Sequence, residues 1–524
     1  MRFSCAAIFA AHLVVATALA LAPTRAAAQD VTLTSRDGGV EIAGNLLGFD
    51  GQFYRVETAY GELTVDGTGV LCEGPGCPDL EAYVAEIAIS GASSVGEVLL
   101  PSLIEGFALR SGYKIARSDA GAGQVEYLLS DSGSGEAAAR FLIHSTNTDE
   151  GFADLLANET DIVMSLREVR PDEASRAWEA GMGDLRGPGR ARVLALDALV
   201  PIVAPGHPLT EVTLTDLAGI FSGRIVNWSD LGGPDAPIST YLRDPAAGLS
   251  QAAEDRLLGP IRATLRPDVI RHVSNRALVR AVMTDPFGIA LTTAADTGNA
   301  KQLALSGECG FSIPATRRNA KTEDYPLTAP VFLYTPVRRL PRVGREFYAY
   351  LSTPAAQLVI RRAGFIDQMA EEIPVADQGD RFANAISQAG EETGLEDLQR
   401  MVATLSPLRR LTVSFRFEQG SSALDAQSRS NIRLLADALE AGEYDGRRLL
   451  FVGFSDGQGP AQSNRQIALR RAESVRRAIL SAAETLDPAR ITLEAEAFGE
   501  AMPMACDDSA WGRQVNRRVE VWVR

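Results

Sequence analysis

The chain has 524 residues, 46% of them hydrophobic, with 67 acidic against 51 basic side chains and a formal net charge of −16. That length accommodates about three domains, each with its own core. So acidic a chain is a poor partner for nucleic acid or an anionic membrane surface, whose phosphates would repel it.

Residues 1–28 read as a secretory signal peptide. Arg2 is followed by an apolar run from Ala6 to Leu21, and Ala26-Ala27-Ala28 precedes Gln29 as a small-residue cleavage site. A membrane-spanning anchor is the competing reading of the same run. Cys5 lies too early to be a lipoprotein cysteine, and no later stretch is apolar for long enough to span a bilayer. The expectation is a soluble exported protein. Export permits disulfides, and Cys72 and Cys77 close a tight Gly/Pro loop, Cys-Glu-Gly-Pro-Gly-Cys, that is expected to be bonded. A zinc site is the alternative, but no histidine lies nearby to complete four ligands. The pairing of Cys309 and Cys506 is not readable.

Residues 29–82 alternate short β runs (Val31 to Thr34, Val40 to Ile42, Phe53 to Val56, Glu62 to Val65) with Asp-Gly turns. This predicts a small β-rich module, with no recognisable chemistry in it.

Residues 83–372 alternate β runs with helical patterns, an α/β signature. Ile87 to Gly91 is a strand ending in a glycine turn, and Ala92-Ser93-Ser94 opens a helix. Free backbone N–H groups and two hydroxyls at a helix start can cradle an anion; an ordinary serine N-cap is the other reading. The segment as a whole resembles the phosphate-binding proteins of ABC importers, two-lobed periplasmic receptors of the type II fold. Ser90 to Val95 resembles their first anion loop, G-S-S-T-V. Asp161 to Arg167 resembles D-I-G-x-x-S-R, and Ile220-Phe221-Ser222-Gly223 with Asn227-Trp228 through Gly232-Gly233 resembles I-F-x-G … N-W-x-x-L-G-G. Phe287 to Ala290 and Tyr325-Pro326-Leu327 fall where the family has G-I-G-Y and Y-P-L. The resemblance implies an anion site of Ser93, Ser94, Arg243 and Gly248. It also shows departures. The second loop, R-x-x-x-S-G-T in the family, has Ala247 and Leu249 in place of its hydroxyls, and Leu166 stands where the family places Ser or Asp. Ser250 is a candidate replacement donor, one residue late. Asp149 and Glu150 would repel a dianion if they faced the cleft.

Residues 373–405 read as a linker with one short helix, Leu395 to Leu405. In residues 406–524 an apolar strand, Leu449 to Phe454, stops at Ser455-Asp456. A Gly/Pro loop follows, then a helix with Ile467, Ala468, Ala472, Val475 and Ile479 on one face. The spacing sets Asp456 opposite Arg471, either as a structural ion pair or as a grip on a zwitterion. This stretch resembles the OmpA-like peptidoglycan-binding domain, of βαβαββ order. Ser455-Asp456, Gly459, Asn464, Arg471-Ala472 and Val475 match T-D-x-x-G … N … R-A-x-x-V, while Gly499-Glu500, Pro503 and Asn516 to Glu520 match G-E-x-x-P and N-R-R-V-E. The family's G-H-T-D is here Gly453-Phe454-Ser455-Asp456, and its L-S is Ile467-Ala468. By this resemblance Asp456 and Arg471 hold the diaminopimelate of the stem peptide, with Asn464 and one of Arg517 or Arg518, taken as Arg517, beside them.

No nucleophile elbow, P-loop or H-E-x-x-H stands in the chain, so no catalytic residue, metal or cofactor is expected. The reading is an exported envelope binding protein of the periplasm. It captures phosphate or a related oxyanion and is tethered to peptidoglycan, possible associates being an outer membrane, an ABC importer permease or an envelope protein. The alternative is a structural or interaction protein whose degenerate receptor domain binds a protein partner.

Overall fold

The computed structural model describes residues 30–524 except 81–82, 122, 246, 308, 310, 390–392 and 419–420; the expected leader, 1–28, lies outside the described residues. There are two compact units, one ending at Tyr83 and one running Val84–Arg524.

In the first unit, β1 (Val31–Ser35), β2 (Glu41–Phe49), β3 (Phe53–Thr58), β4 (Gly61–Asp66) and β5 (Val70–Glu73) form an antiparallel sheet ordered β4-β3-β2-β1-β5. Side chains two apart on one face, Val31 with Leu33 and Tyr54 with Val56, build its small core. Cys72, on β5, is disulfide-bonded to Cys77, with the Cα atoms 5.9 Å apart.

The second unit opens with a two-lobed body. Its first lobe holds β6 (Ala85–Ala92), β7 (Tyr113–Gly121), β8 (Gln124–Asp131), β9 (Ala137–Thr146) and β10 (Ile162–Ser165). A long strand, β11 (Ala191–Val203), leads into the second lobe. That lobe holds β12 (Glu211–Thr213), β13 (Ser239–Arg243), β14 (Ile270–His272), β15 (Gly288–Thr293), β16 (Lys301–Gln302), β17 (Ala304–Ser306) and β18 (Ser312–Ile313). The chain returns along β19 (Thr328–Tyr334). One continuous sheet runs β14-β13-β15-β11-β19-β10-β6-β9-β8-β7, with β16 also on β11. β11 is the crossing strand: Ala191 to Ala198 pair with β19, and Leu199 to Val203 pair with β15. From Val193 onward β11 is buried throughout. Cover on both faces favours an unbroken apolar run over alternation.

The C-terminal domain is a five-stranded sheet of β20 (Glu372–Pro374), β21 (Arg409–Arg416), β22 (Arg448–Phe454), β23 (Thr492–Gly499) and β24 (Arg518–Val523), ordered β20-β21-β24-β22-β23. Helices Ala426–Glu440 and Ala461–Ala482 follow β21 and β22, as the βαβαββ reading requires, and a short helix, Ala510–Asn516, precedes β24. The first two helices cover one face, packing Leu435, Ala472, Val475 and Ile479 on Leu449 and Phe451.

The stretch 373–405 holds the expected helix Leu395–Leu405, but it is packed on the sheet rather than serving as a free linker. Helices Gly379–Ser387 and Leu395–Leu405 cover the other face of the sheet, with Ala385, Leu398, Met401 and Leu405 packed on Leu450, Val452, Phe454 and Trp522. The physical reason lies in β22: Leu449 through Phe454 are apolar apart from Gly453 and buried on both faces, so one helical layer would leave half of them in water. Arg381 of the first of these helices is buried against Glu520.

Candidate functional site

Two loops, one at the carboxyl end of a first-lobe strand and one at the carboxyl end of a second-lobe strand, face each other between the lobes, at the strand ends where open α/β sheets bind ligands. The first follows β6. Gly91 has φ +129°, and a Cβ there would run into the carbonyl oxygen of Met164 on β10, so only glycine lets β6 turn this close to its neighbour. Ser93 and Ser94 come next, at the start of the helical run that continues as Leu100–Ser111. The second loop follows β13, which ends at Arg243; a short helix, Gly248–Ala253, starts after Ala247.

All four anticipated anion residues, Ser93, Ser94, Arg243 and Gly248, line one cavity of about 30 Å³. A void of that size holds a few waters or one small ion. The Arg243 guanidinium is fixed: Nε donates to the His272 carbonyl at 3.2 Å and Nη1 to Asn275 Oδ1 at 2.7 Å. Asn275 is itself held by Asp296, its Nδ2 donating at 2.7 Å. The rest of the wall is largely apolar, including Leu166, Ala198, Leu199, Ala247, Leu249 and Phe365. Leu166 reaches across the cleft, and a Cβ on Gly248 would lie 2.6 Å from its Cδ1.

Ser250 is not the replacement donor the sequence offered. It is fully buried, and its hydroxyl donates to the Arg243 carbonyl at 2.8 Å. Asp149 does not confront the anion cavity as a free charge. It pairs with Arg167 and Arg170, and its Oδ2 accepts from Gln251 Nε2 of the opposite lobe at 2.9 Å.

Asp197, on the crossing strand, was not anticipated. Its side chain lines the cavity, accepting the backbone N–H of Ala198 at 2.7 Å and of Ala294 at 3.0 Å. Burial pushes its carboxyl up to about 7, against the pull of those two backbone donors. The available signal was a lone acid inside the apolar run Val193–Val203.

The second site lies at the end of β22. Asp456, 9% exposed, accepts from Arg517 Nη1 at 2.6 Å. Arg471, on helix Ala461–Ala482, sets its guanidinium over the ring of Phe417. Burial, then the Arg517 charge, lowers the pKa of Arg471, while Asp456 opposes the shift. Asp456, Arg471 and Arg517 thus share one locus. Asn464 holds the loop between them: its Nδ2 donates to the Gly459 carbonyl at 3.2 Å and to Glu500 Oε2 at 3.0 Å. Arg518 belongs elsewhere. It is fully buried, bonds Glu520 Oε1 through Nε at 2.7 Å and lies over Phe454. One carboxylate beside two guanidiniums can take a ligand carrying both an ammonium and a carboxylate. Among the described residues no group of three His, Cys, Asp or Glu could hold a metal, and no helix is long and apolar enough to cross a membrane.

The comparisons with known proteins follow this division. Residues 58–358 match the PBP superfamily domain, and 416–517 match the OmpA family. The phosphate-binding protein PstS of Borreliella burgdorferi is 26% identical over 179 residues, spanning 33% of this chain and 64% of that protein. Outer membrane porin F of Pseudomonas fluorescens is 30% identical over 121 residues, spanning 23% of this chain and 35% of the porin. Neither relative is covered over two thirds of its length. An ABC-type phosphate transport receptor from Vibrio cholerae superposes with a TM-score of 0.42 at 20% identity, over 53% of this chain and 99% of the receptor. The chain belongs to the PBP superfamily, as a phosphate-binding-protein-like two-lobed domain followed by a C-terminal OmpA domain.

Proposed function

We propose that this protein captures phosphate or a related oxyanion between its lobes, while its C-terminal domain grips the diaminopimelate of the peptidoglycan stem peptide. The observation that carries the reading is the convergence of Ser93, Ser94, Arg243 and Gly248, from opposite lobes, on one cavity. It acts as a binder rather than a catalyst, in the periplasm, attached to peptidoglycan beside an outer membrane. An importer permease or another envelope protein is the recipient of what it holds.

Leu166, Ala247 and Leu249 favour a second reading, in which the receptor domain has given up its anion and binds an envelope protein. Two missing donors at about 1–3 kcal/mol each lower anion affinity by roughly one to four decades. Calorimetric titration of residues 30–524 with phosphate, sulfate and a phosphonate separates the two. The first reading expects saturable binding of at least one anion, abolished in Arg243→Ala. Binding of none, or equal binding by the variant, leaves the protein-partner reading. For the C-terminal site, the chain should sediment with purified diaminopimelate-type peptidoglycan and Asp456→Ala should stay in solution; co-sedimentation of a folded Asp456→Ala would make the Asp456–Arg517 pair merely structural.

A further inference from the structure

A two-lobed receptor opens by bending the strands that cross between its lobes. Here those are β11 and β19, and a third body is fastened on both sides of them. On the second lobe the attachment is covalent: Cys506 of the C-terminal domain is disulfide-bonded to Cys309, with the Cα atoms 5.6 Å apart. Trp511 adds a hydrogen bond from Nε1 to the Arg256 carbonyl at 3.0 Å. On the first lobe the attachment is a polar seam. The backbone N–H of Ala426, at the start of helix Ala426–Glu440, donates to Glu168 Oε1 at 3.3 Å. One turn on, Ser430 Oγ accepts from the N–H of Val193, on the first-lobe half of β11, at 3.1 Å. Between the two attachments, beside the returning crossing strand, Arg410 bonds Asp324 at 2.6 and 3.1 Å, and Arg416 Nη2 donates to the Glu323 carbonyl at 2.6 Å. Arg410 and Asp324 are 1% and 2% exposed.

We propose that the C-terminal domain is a brace that holds the two lobes closed, bolted to the second lobe by Cys309–Cys506 and released only at the Glu168–Ser430 seam on the first. The lobes cannot separate while both attachments stand, because one rigid domain spans them. The weaker attachment yields first. Hydrogen bonds at a partly exposed seam are each worth about 1 kcal/mol, whereas the disulfide does not dissociate. Anion exchange in the cleft is then set by opening of the seam, and Gln251 to Asp149 and Arg170 to Asp255, 3.7 Å apart, part with it. The brace does not depend on which anion the cavity takes, or on whether it takes one.

The test measures the distance between the lobes directly. Non-cysteine spin labels are placed at Leu109, 83% exposed on the first lobe, and at Arg280, exposed on the second, in residues 30–524 with the disulfides intact. Pulsed dipolar spectroscopy without any anion should give one narrow distance, unchanged by added phosphate. Glu168→Ala with Ser430→Ala should add a second, longer distance; Ser430→Ala alone is the milder version should the pair fold poorly. Two distances in the unmodified chain that collapse to one with phosphate would overturn the proposal. A folded seam variant that keeps the single distance would overturn it equally.

Discussion

The guanidinium of Arg471 lies over the ring of Phe417, 4.9 Å from its centroid. Arg471 is therefore set in place by an aromatic face rather than by Asp456, whose carboxylate has Arg517 as its partner. This predicts that Phe417→Leu, which keeps the apolar bulk, weakens sedimentation with peptidoglycan about two- to thirty-fold, the range of a lost cation–π contact. Arg471→Ala should weaken it further. Equal binding by Phe417→Leu and the unmodified chain would mean the ring only fills space.

The two disulfides should differ in what they contribute. Chain-entropy reasoning gives about 5 kcal/mol for the Cys309–Cys506 bond, which closes a separation of 197 residues, and about 2 kcal/mol for Cys72–Cys77, five residues apart. Calorimetric melting of the Cys309→Ala, Cys506→Ala chain should show a large fall in the transition of the Val84–Arg524 unit. The Cys72→Ala, Cys77→Ala chain should leave that transition where it was.

Stability should peak at mildly acidic pH. Asp197 is raised by burial from 3.8 to about 7, and Glu323 from 4.5 to about 8, by burial and then by the charge of Asp425. The folded state keeps protons that the unfolded chain has lost, so stability falls as pH rises from about 4 toward 8. Glu520 works in the opposite sense. Its burial is outweighed by Arg381, Arg410 and Arg518, which hold it down to about 2, so its contribution is present above 4.5 and is lost as pH falls through 2. Asp324, lowered by Arg410 against the effect of its burial, adds to the same acid limb. Melting temperatures between pH 4 and pH 8 check this. Asp197→Asn should flatten the decline by on the order of 4 kcal/mol, and an unchanged slope would show that Asp197 ionises in the folded protein as it does in the unfolded one.

Gly453 is where β22 and helix Ala461–Ala482 touch backbone to backbone, since a Cβ there would meet the carbonyl oxygen of Ala468. A backbone atom cannot swing aside as a side chain can. Gly453→Ala should cost about 3 kcal/mol or more, read as loss of the C-terminal domain's melting cooperativity. Gly206→Ala, with nothing within 4 Å of the new carbon, should be near neutral.

What the sequence made legible was whatever is local to a strand end. Ser93-Ser94, Arg243 with Gly248, and Asp456 each stand at or shortly after the end of a strand, so motif order carries them to a strand's carboxyl rim. Arg517 and Arg518 could not be told apart by motif alone. Arg517 closes the helix before β24 and Arg518 is the first residue of the strand, and only the fold shows that Arg517 meets Asp456 while Arg518 meets Glu520. Asp197 was hidden because it belongs to no motif and its role comes from a cavity wall assembled from both lobes. Of the two helices within 373–405, Leu395–Leu405 was legible from its amphipathic run, while Gly379–Ser387 was not. Its apolar face is short, and nothing in the sequence states that β22 has a second side for both helices to cover.

The spacing of the cysteines also sets an order of events as the chain is made. Cys72 and Cys77, five residues apart, can find each other as soon as they emerge, since closing so short a loop is fast. By the time Cys309 appears, both earlier thiols of the first unit are already occupied and offer it no wrong partner. It must then wait, reduced, until Cys506 emerges 197 residues later, when all but the last helix and strand of the C-terminal domain has been delivered. Until that bond forms, nothing covalent beyond the chain itself ties the second lobe to the C-terminal domain, so the cleft exchanges anion freely during synthesis and only through the seam afterwards.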